Sequence, residues 1–276
     1  MEKYGSCTPE QRISLRSLYT AFETQREKEY YFEGEAHNFW EMVCVLGGSI
    51  GATADNDVYS LCAGQVIFHK PMEFHRLWSD EGTSPFTCIF SFSGKMPELN
   101  GRVFSLSVKN QERVRHALSM IEEFYEIDDI DVVSVKEGKE NEAYSAICYL
   151  EYLILSIVSQ KAETGAEVST PSARKYAEIV GIMDNNINSR LSLEDIALMC
   201  NMSVSNLKKV FFRYSGQGVS RYFSELKMRR AVMMLNDGKS VKETSYALGF
   251  DDQNYFSTVF KRIMGKSPMQ YKKENT

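Results

Sequence analysis

Toward the C-terminus, apolar residues recur at helical spacing in two separate passages: Leu207, Val210 and Phe211, then Phe256, Val259 and Phe260. The passages are copies. A shift of 48 positions matches Leu193 with Val241, Ala197 with Ser245 and Met202 with Phe250. After one extra residue, a shift of 49 matches Leu207 with Phe256, Phe211 with Phe260, Arg213 with Arg262, Gly216 with Gly265 and Tyr222 with Tyr271. Such an ordered series predicts a duplicated unit of two short helices packed across a tight turn. Ser192 is placed to cap the first helix, with Asp195 in a capping-box position, and Ser203 to cap the second. In the other copy Ser240 is the cap, Gly249 supplies a permissive turn residue, and Asp251 or Asp252 starts the next helix. The opposite face of each second helix is polar: Ser205, Lys208 and Lys209 in one, Gln253, Asn254 and Thr258 in the other. Lys reads guanine acceptors and Asn or Gln pairs with adenine, so these faces suit a DNA major groove.

The first hundred positions carry a different pattern, of short apolar runs between turn residues. Strands are predicted over Asn38–Leu46, closed by Gly47-Gly48, and over Val58–Leu61 after an Asp55–Asp57 turn. Val66–Phe68 before Pro71 and Phe86–Phe92 before Gly94 complete a small β-barrel or sandwich. Glu35, His37, Phe39 and Glu41 alternate, so one strand would aim all four at the interior. Amphipathic helices are expected near Asn110–Tyr125 and Glu142–Ser159, and a Gly-, Thr- and Pro-bearing linker follows.

Charge sharpens this division. The 276-residue chain has a net charge of −5, but residues 171–276 hold 17 Lys and Arg against 10 Asp and Glu. That module is +7 and residues 1–170 are −12, so attraction to phosphate is confined to the C-terminal part. The six cysteines have no paired spacing and suit small core residues in a reducing cytosol. The polar start and the lack of a long apolar run predict a cytoplasmic chain with no membrane partner.

The C-terminal stretch resembles the AraC/XylS transcriptional regulators. The resemblance is carried by Ser192–Ala197, Arg229–Leu235, Leu248-Gly249-Phe250, Tyr255-Phe256, Phe260-Lys261 and Gly265–Pro268. It implies two recognition helices joined by a linker helix over roughly Ser220–Asn236, entering successive major-groove segments. The family's base-facing positions fall on Ser205, Lys208, Lys209, Gln253, Asn254 and Thr258. Phe212 stands where Lys is usual and Thr258 where Arg is common, which bears on single contacts. The N-terminal part resembles the cupin-like sensor domain common in this family, through Glu35–Glu41 and Gly64–His75. The implied fold is α+β in two domains: a cupin-like β-barrel with following helices, then an all-α tandem helix-turn-helix domain. Its expected divisions are a sensor barrel at 1–108, a helical dimerisation segment at 109–160, a linker at 161–172 and a DNA-binding domain at 173–276.

By the same resemblance, His75 sits where cupins return a histidine to the barrel interior. Metal-binding cupins carry a His-x-His, a Glu and this later His; here Glu35 replaces the first His. Glu35, His37, Glu41 and His75 are therefore expected to hydrogen-bond a small-molecule effector, with no metal and no cofactor. Trp40 and Trp78 are core or pocket wall. The expected partners are double-stranded DNA, the effector, a second copy in a homodimer, and RNA polymerase. Two other readings stay open: a metal-dependent cupin enzyme with a DNA-binding tail, and an effector-independent DNA binder that uses the barrel only to dimerise.

Overall fold

The computed structural model describes residues 7–79, 82–163 and 166–274. Part of the polar start, residues 164–165 of the expected linker and the last two residues of the expected DNA-binding domain lie outside the described residues. The N-terminal part runs β1 (Ser14–Gln25), β2 (Trp40–Gly47), β3 (Ser49–Ala54), β4 (Asp57–Cys62), β5 (Gln65–His69), β6 (His75–Ser79), β7 (Phe86–Lys95) and β8 (Val103–Ser105). Then come α1 (Val108–Phe124), the hairpin β9 (Tyr125–Asp128) and β10 (Asp131–Val135), and α2 (Glu140–Val158). The strands form two antiparallel sheets, in the orders β8-β5-β2-β7-β1-β10-β9 and β4-β3-β6.

β2 is buried on both faces, which is why it is almost continuously apolar. Met42 and Cys44 pack with Phe68 and Phe90 against Val114, Leu118, Leu150 and Ile154 of the two helices. Val43 and Val45 pack instead with Ile50, Ala52 and Leu61 of the smaller sheet. Glu41 shares the parity of Val43 and Val45, so it enters the space between the sheets. The strands predicted from sequence did not include β1, β3, β6, β8 or the β9–β10 hairpin. β1, the longest strand, is largely half-buried or exposed and has register shifts near Leu15–Ser17 and Leu18–Thr20 that break its alternation. β3 follows β2 directly because Gly48, at φ +66°, turns the chain. The β9–β10 hairpin fills the gap between the two helices expected near Asn110–Tyr125 and Glu142–Ser159.

The expected linker is docked. Ser60 N–H donates to Ala166 O and Val168 N–H to Val58 O, which adds a short extra edge along β4. Thr170 then caps α3 (Pro171–Asn185), with proline at the helix start.

The remaining helices are α4 (Leu193–Met199), α5 (Val204–Ser215), α6 (Val219–Asn236), α7 (Val241–Ala247), α8 (Gln253–Met264) and α9 (Pro268–Glu274). Ser192 with Asp195 and Ser240 with Glu243 both form reciprocal capping boxes. Ser203 and Asp252 cap α5 and α8. Asn201 (φ 51°) and Gly249 (φ 74°) occupy the same left-handed turn position of the two copies. α6 joins the copies and ends before Gly238, at φ +89°.

The two parts share hydrophobic cores. Val58 and Phe74 of the β domain belong to the cluster of Tyr176, Ile196, Leu207, Phe211 and Tyr222. Met72 belongs to that of Met228, Leu235, Phe256 and Phe260. Among the described residues, no helix is long and apolar enough to cross a membrane.

Candidate nucleic-acid interface and sensor site

Each helix-turn-helix unit buries one face of its second helix and leaves the other free. In α5, Leu207, Phe211 and Tyr214 are buried while Ser205, Lys208 and Lys209 are exposed one turn apart. In α8, Phe256, Val259 and Phe260 are buried; Asn254 and Thr258 are exposed and Gln253 is half-buried. The Thr258 hydroxyl donates to Asn254 O at 3.0 Å, so it is turned onto its own helix. Two large side chains beside these polar rows, Phe212 and Tyr255, are exposed. The exposure of Phe212 agrees with its place at a position where Lys is usual, whereas that of Tyr255 was not legible, because an aromatic residue in an amphipathic helix reads as core.

The sensor candidates converge as well, but by a different route from the one expected. Glu35 and His37 are not in a strand. The chain is irregular until Trp40, and Gly34 (φ +93°) turns it where an added Cβ would lie 2.5 Å from the Phe74 ring. Glu35 instead pairs with His75 through two backbone hydrogen bonds of 2.9 Å. Phe39 does not join the set; it stacks on His37 and Tyr19. The four ligand-type atoms of Glu35, His37, Glu41 and His75 all lie within 4.8 Å of one another. His75 Nε2 is 3.5 Å from Glu41 Oε1 and 3.9 Å from Glu35 Oε1, and His37 Nε2 is 3.9 Å from Glu41 Oε2.

Burial sets the electrostatics. It lowers the His37 pKa to about 4 and holds His75 well below the usual imidazole value, so both rings are neutral. Burial, then the charge of Glu35, pushes the Glu41 carboxyl up to about 8. Around the quartet, Ser91 donates to Glu41 Oε2 at 3.4 Å and itself accepts from Thr20 at 2.7 Å. His69, in register with Glu41, stacks on His75 at 4.4 Å and lies 3.3 Å from Glu73. These supporting groups were not singled out from sequence; the two-residue periodicity of β5 and β7 opposite Glu41 was the available signal.

β6 connects this site to the DNA-binding part. Successive side chains of a strand point to opposite faces. His75 and Leu77 face the β domain, whereas Phe74, Arg76 and Trp78 meet the first helix-turn-helix unit. Arg76 donates to Phe32 O at 2.9 Å and to Arg213 O, near the end of α5, at 2.6 Å. Gly216 makes this approach possible, since an added Cβ would lie 2.8 Å from both Arg76 Nε and Glu33 O. Phe74 packs edge-on against Tyr222 and Trp78 against Tyr214. Asp55 accepts from Arg229 at 3.3 Å through its carboxylate and from the Tyr176 hydroxyl at 2.9 Å through its backbone carbonyl.

Comparison with known proteins agrees with the fold. The helix-turn-helix domain family matches residues 196–274, spanning both copies. The chain is 23% identical over 262 residues to the transcriptional activator RhaR of Mannheimia succiniciproducens, covering 89% of this chain and 90% of that protein. Residues 196–274 carry the helix-turn-helix domain, and the chain as a whole is similar to transcription regulators. The Msm operon regulatory protein of Streptococcus mutans is 24% identical over 254 residues, 90% of this chain and 89% of that one. The MmsAB operon regulatory protein of Pseudomonas aeruginosa is 33% identical over 91 residues, 33% of this chain and 30% of its own length. The first two similarities extend through the β domain, and these relatives are transcription regulators, not enzymes.

Proposed function

We propose that the chain is a cytoplasmic, effector-controlled transcription factor. A homodimer presents four recognition helices to operator DNA and acts on RNA polymerase, with the helical segment around α1 and α2 joining the protomers. Ser205, Lys208 and Lys209 face one major-groove segment, and Gln253, Asn254 and Thr258 the next. A small molecule held by Glu35, His37, Glu41 and His75 controls the presentation.

The observation that carries this reading is the two-faced strand β6: His75 belongs to the quartet while its neighbour Arg76 grips the end of α5. An occupant that moves His75 moves Arg76, so it favours one placement of the first unit over another. That differential affinity is what a population shift requires.

The test is selection of bound sequences by wild type and two variants. Lys209→Ala should relax base preference in one segment and Asn254→Ala in a segment about 10 base pairs away, each by about 1–3 kcal/mol. Uniform weakening across all sequences would assign both side chains to phosphate and sink the base-reading assignment.

A further inference from the structure

We propose that Phe212 reads the methyl group of a thymine in the major-groove segment entered by α5. The inference rests on the assignment of α5 and α8 to DNA and adds a contact that this assignment lacks.

Helical spacing carries the argument. Lys208, Lys209 and Phe212 follow Ser205 by three, four and seven residues, and all four are exposed, so they form one row along α5. A recognition helix lying in a major groove can read bases from four positions at this same spacing. Phe212 completes the row. The corresponding row of α8 is Asn254, Ser257, Thr258 and Lys261. The fourth place thus holds a cation in one unit and an aromatic ring in the other. Leu207 and Phe211 already fill the core beneath α5, and among the described residues Phe212 belongs to no hydrophobic cluster. Its side chain is left 59% exposed, a large apolar surface on the face turned toward DNA.

The surroundings select the partner. Phe212 borders an open recess between α5 and the start of α6, shared with Leu193, Val219, Lys208, Lys209 and Arg221, and no acidic residue lines it. A cationic rim around an apolar spot fits a polyanion that carries an apolar mark. On the base edges of the major groove that mark is the thymine methyl, which apolar side chains such as Phe contact. Against guanine, adenine or cytosine the ring would cover polar edge groups without pairing them, which costs free energy. From Ser205 to Phe212 the helix rises about 10 Å, about three base steps, so the thymine lies beyond the bases met by Ser205 and Lys209.

The experiment selects sites bound by the full chain from random duplex DNA. Each thymine of the selected site is then replaced in turn by deoxyuridine, which lacks only the methyl group. At one position, within the segment whose preference depends on Lys209, the wild type should bind about fourfold more weakly, the weight of one buried methyl group. Phe212→Ala, checked for folding by circular dichroism, should bind the thymine site more weakly and be indifferent to deoxyuridine there. Phe212→Lys should also lose the thymine preference, and its affinity should fall more steeply with salt, by about 0.9 in log–log slope for one added phosphate contact. Deoxyuridine without effect at any position, or with equal effects on wild type and Phe212→Ala throughout, overturns the proposal. The DNA assignment then stands or falls separately, on whether Lys209→Ala and Asn254→Ala change the selected sequences. If the wild type selects no sequence at all, that assignment and this contact fail together.

Discussion

Replacing Arg76 with alanine should loosen the first helix-turn-helix unit from the β domain without unfolding either. Of its two hydrogen bonds, the one to Phe32 O stays within the β domain and the one to Arg213 O crosses to α5. The second caps a carbonyl in the last turn of a helix, where a cation is favoured. A hydrogen bond from a charged donor contributes about 1.5–3 kcal/mol, so losing this one should shift the docked-to-undocked ratio roughly 10- to 150-fold. The guanidinium also lies 5.6 Å from the Trp78 ring centroid, which places the estimate toward its upper end. Asp55, Arg229 and Tyr176 still tie the α3–α6 side, so release should be local. Hydrogen exchange reads this directly. Amides from Gly216 to Tyr222 should lose protection in Arg76→Ala, partly regain it in Arg76→Lys, and those of α8 should be unaffected. If protection at 216–222 matches wild type in a variant with native circular dichroism, Arg76 is not the clamp.

Two further outcomes are expected. Gly249→Ala places a side chain at φ 74° with its Cβ 1.8 Å from Asn188 O, so it should destabilise by at least about 1–3 kcal/mol in urea unfolding and weaken operator binding. A change within about 0.5 kcal/mol, the range of neutral surface substitutions, would refute the tight approach. His37 and His69 have folded pKa values of about 4 and about 3 against an unfolded value near 6.5, and His75 is also held low. Depressed imidazole values mean that this contribution to stability is complete above about pH 6.5 and is lost as pH falls toward the folded values, by about 1.4 kcal/mol per pH unit for each proton. Glu41 and Glu73, raised by burial, oppose the trend, so the readout is a difference: His69→Gln should flatten the slope between pH 6.5 and 5 by one proton. An unchanged slope would mean that His69 is not held neutral.

The C-terminal domain was largely legible because its signals are local. A cap and its partner lie three residues apart, and the buried rows recur every three or four. The turn position held by Gly249 in one copy and Asn201 in the other follows from the alignment of the copies alone. In the β domain, Glu35, His37, Glu41 and His75 converge as expected, but the reasoning that joined the first three treated an irregular segment as strand. Backbone pairing between Glu35 and His75, 40 positions apart, brings Glu35 to the group instead. Period-two spacing cannot register such a bridge. β1 escaped because bulges spoil its alternation, and Arg76 because its partner lies 137 positions away. Contacts between domains leave no trace in periodicity.

The alternation on β6 also bears on how such a protein can change. Positions 75 and 77 answer to the β-domain interior, positions 74, 76 and 78 to the helices outside, and the two sets share only a backbone. On the proposed sensor reading, the inward positions that meet the occupant can be substituted without disturbing the outward row. A lineage could exchange one chemical signal for another and inherit the transmission unchanged.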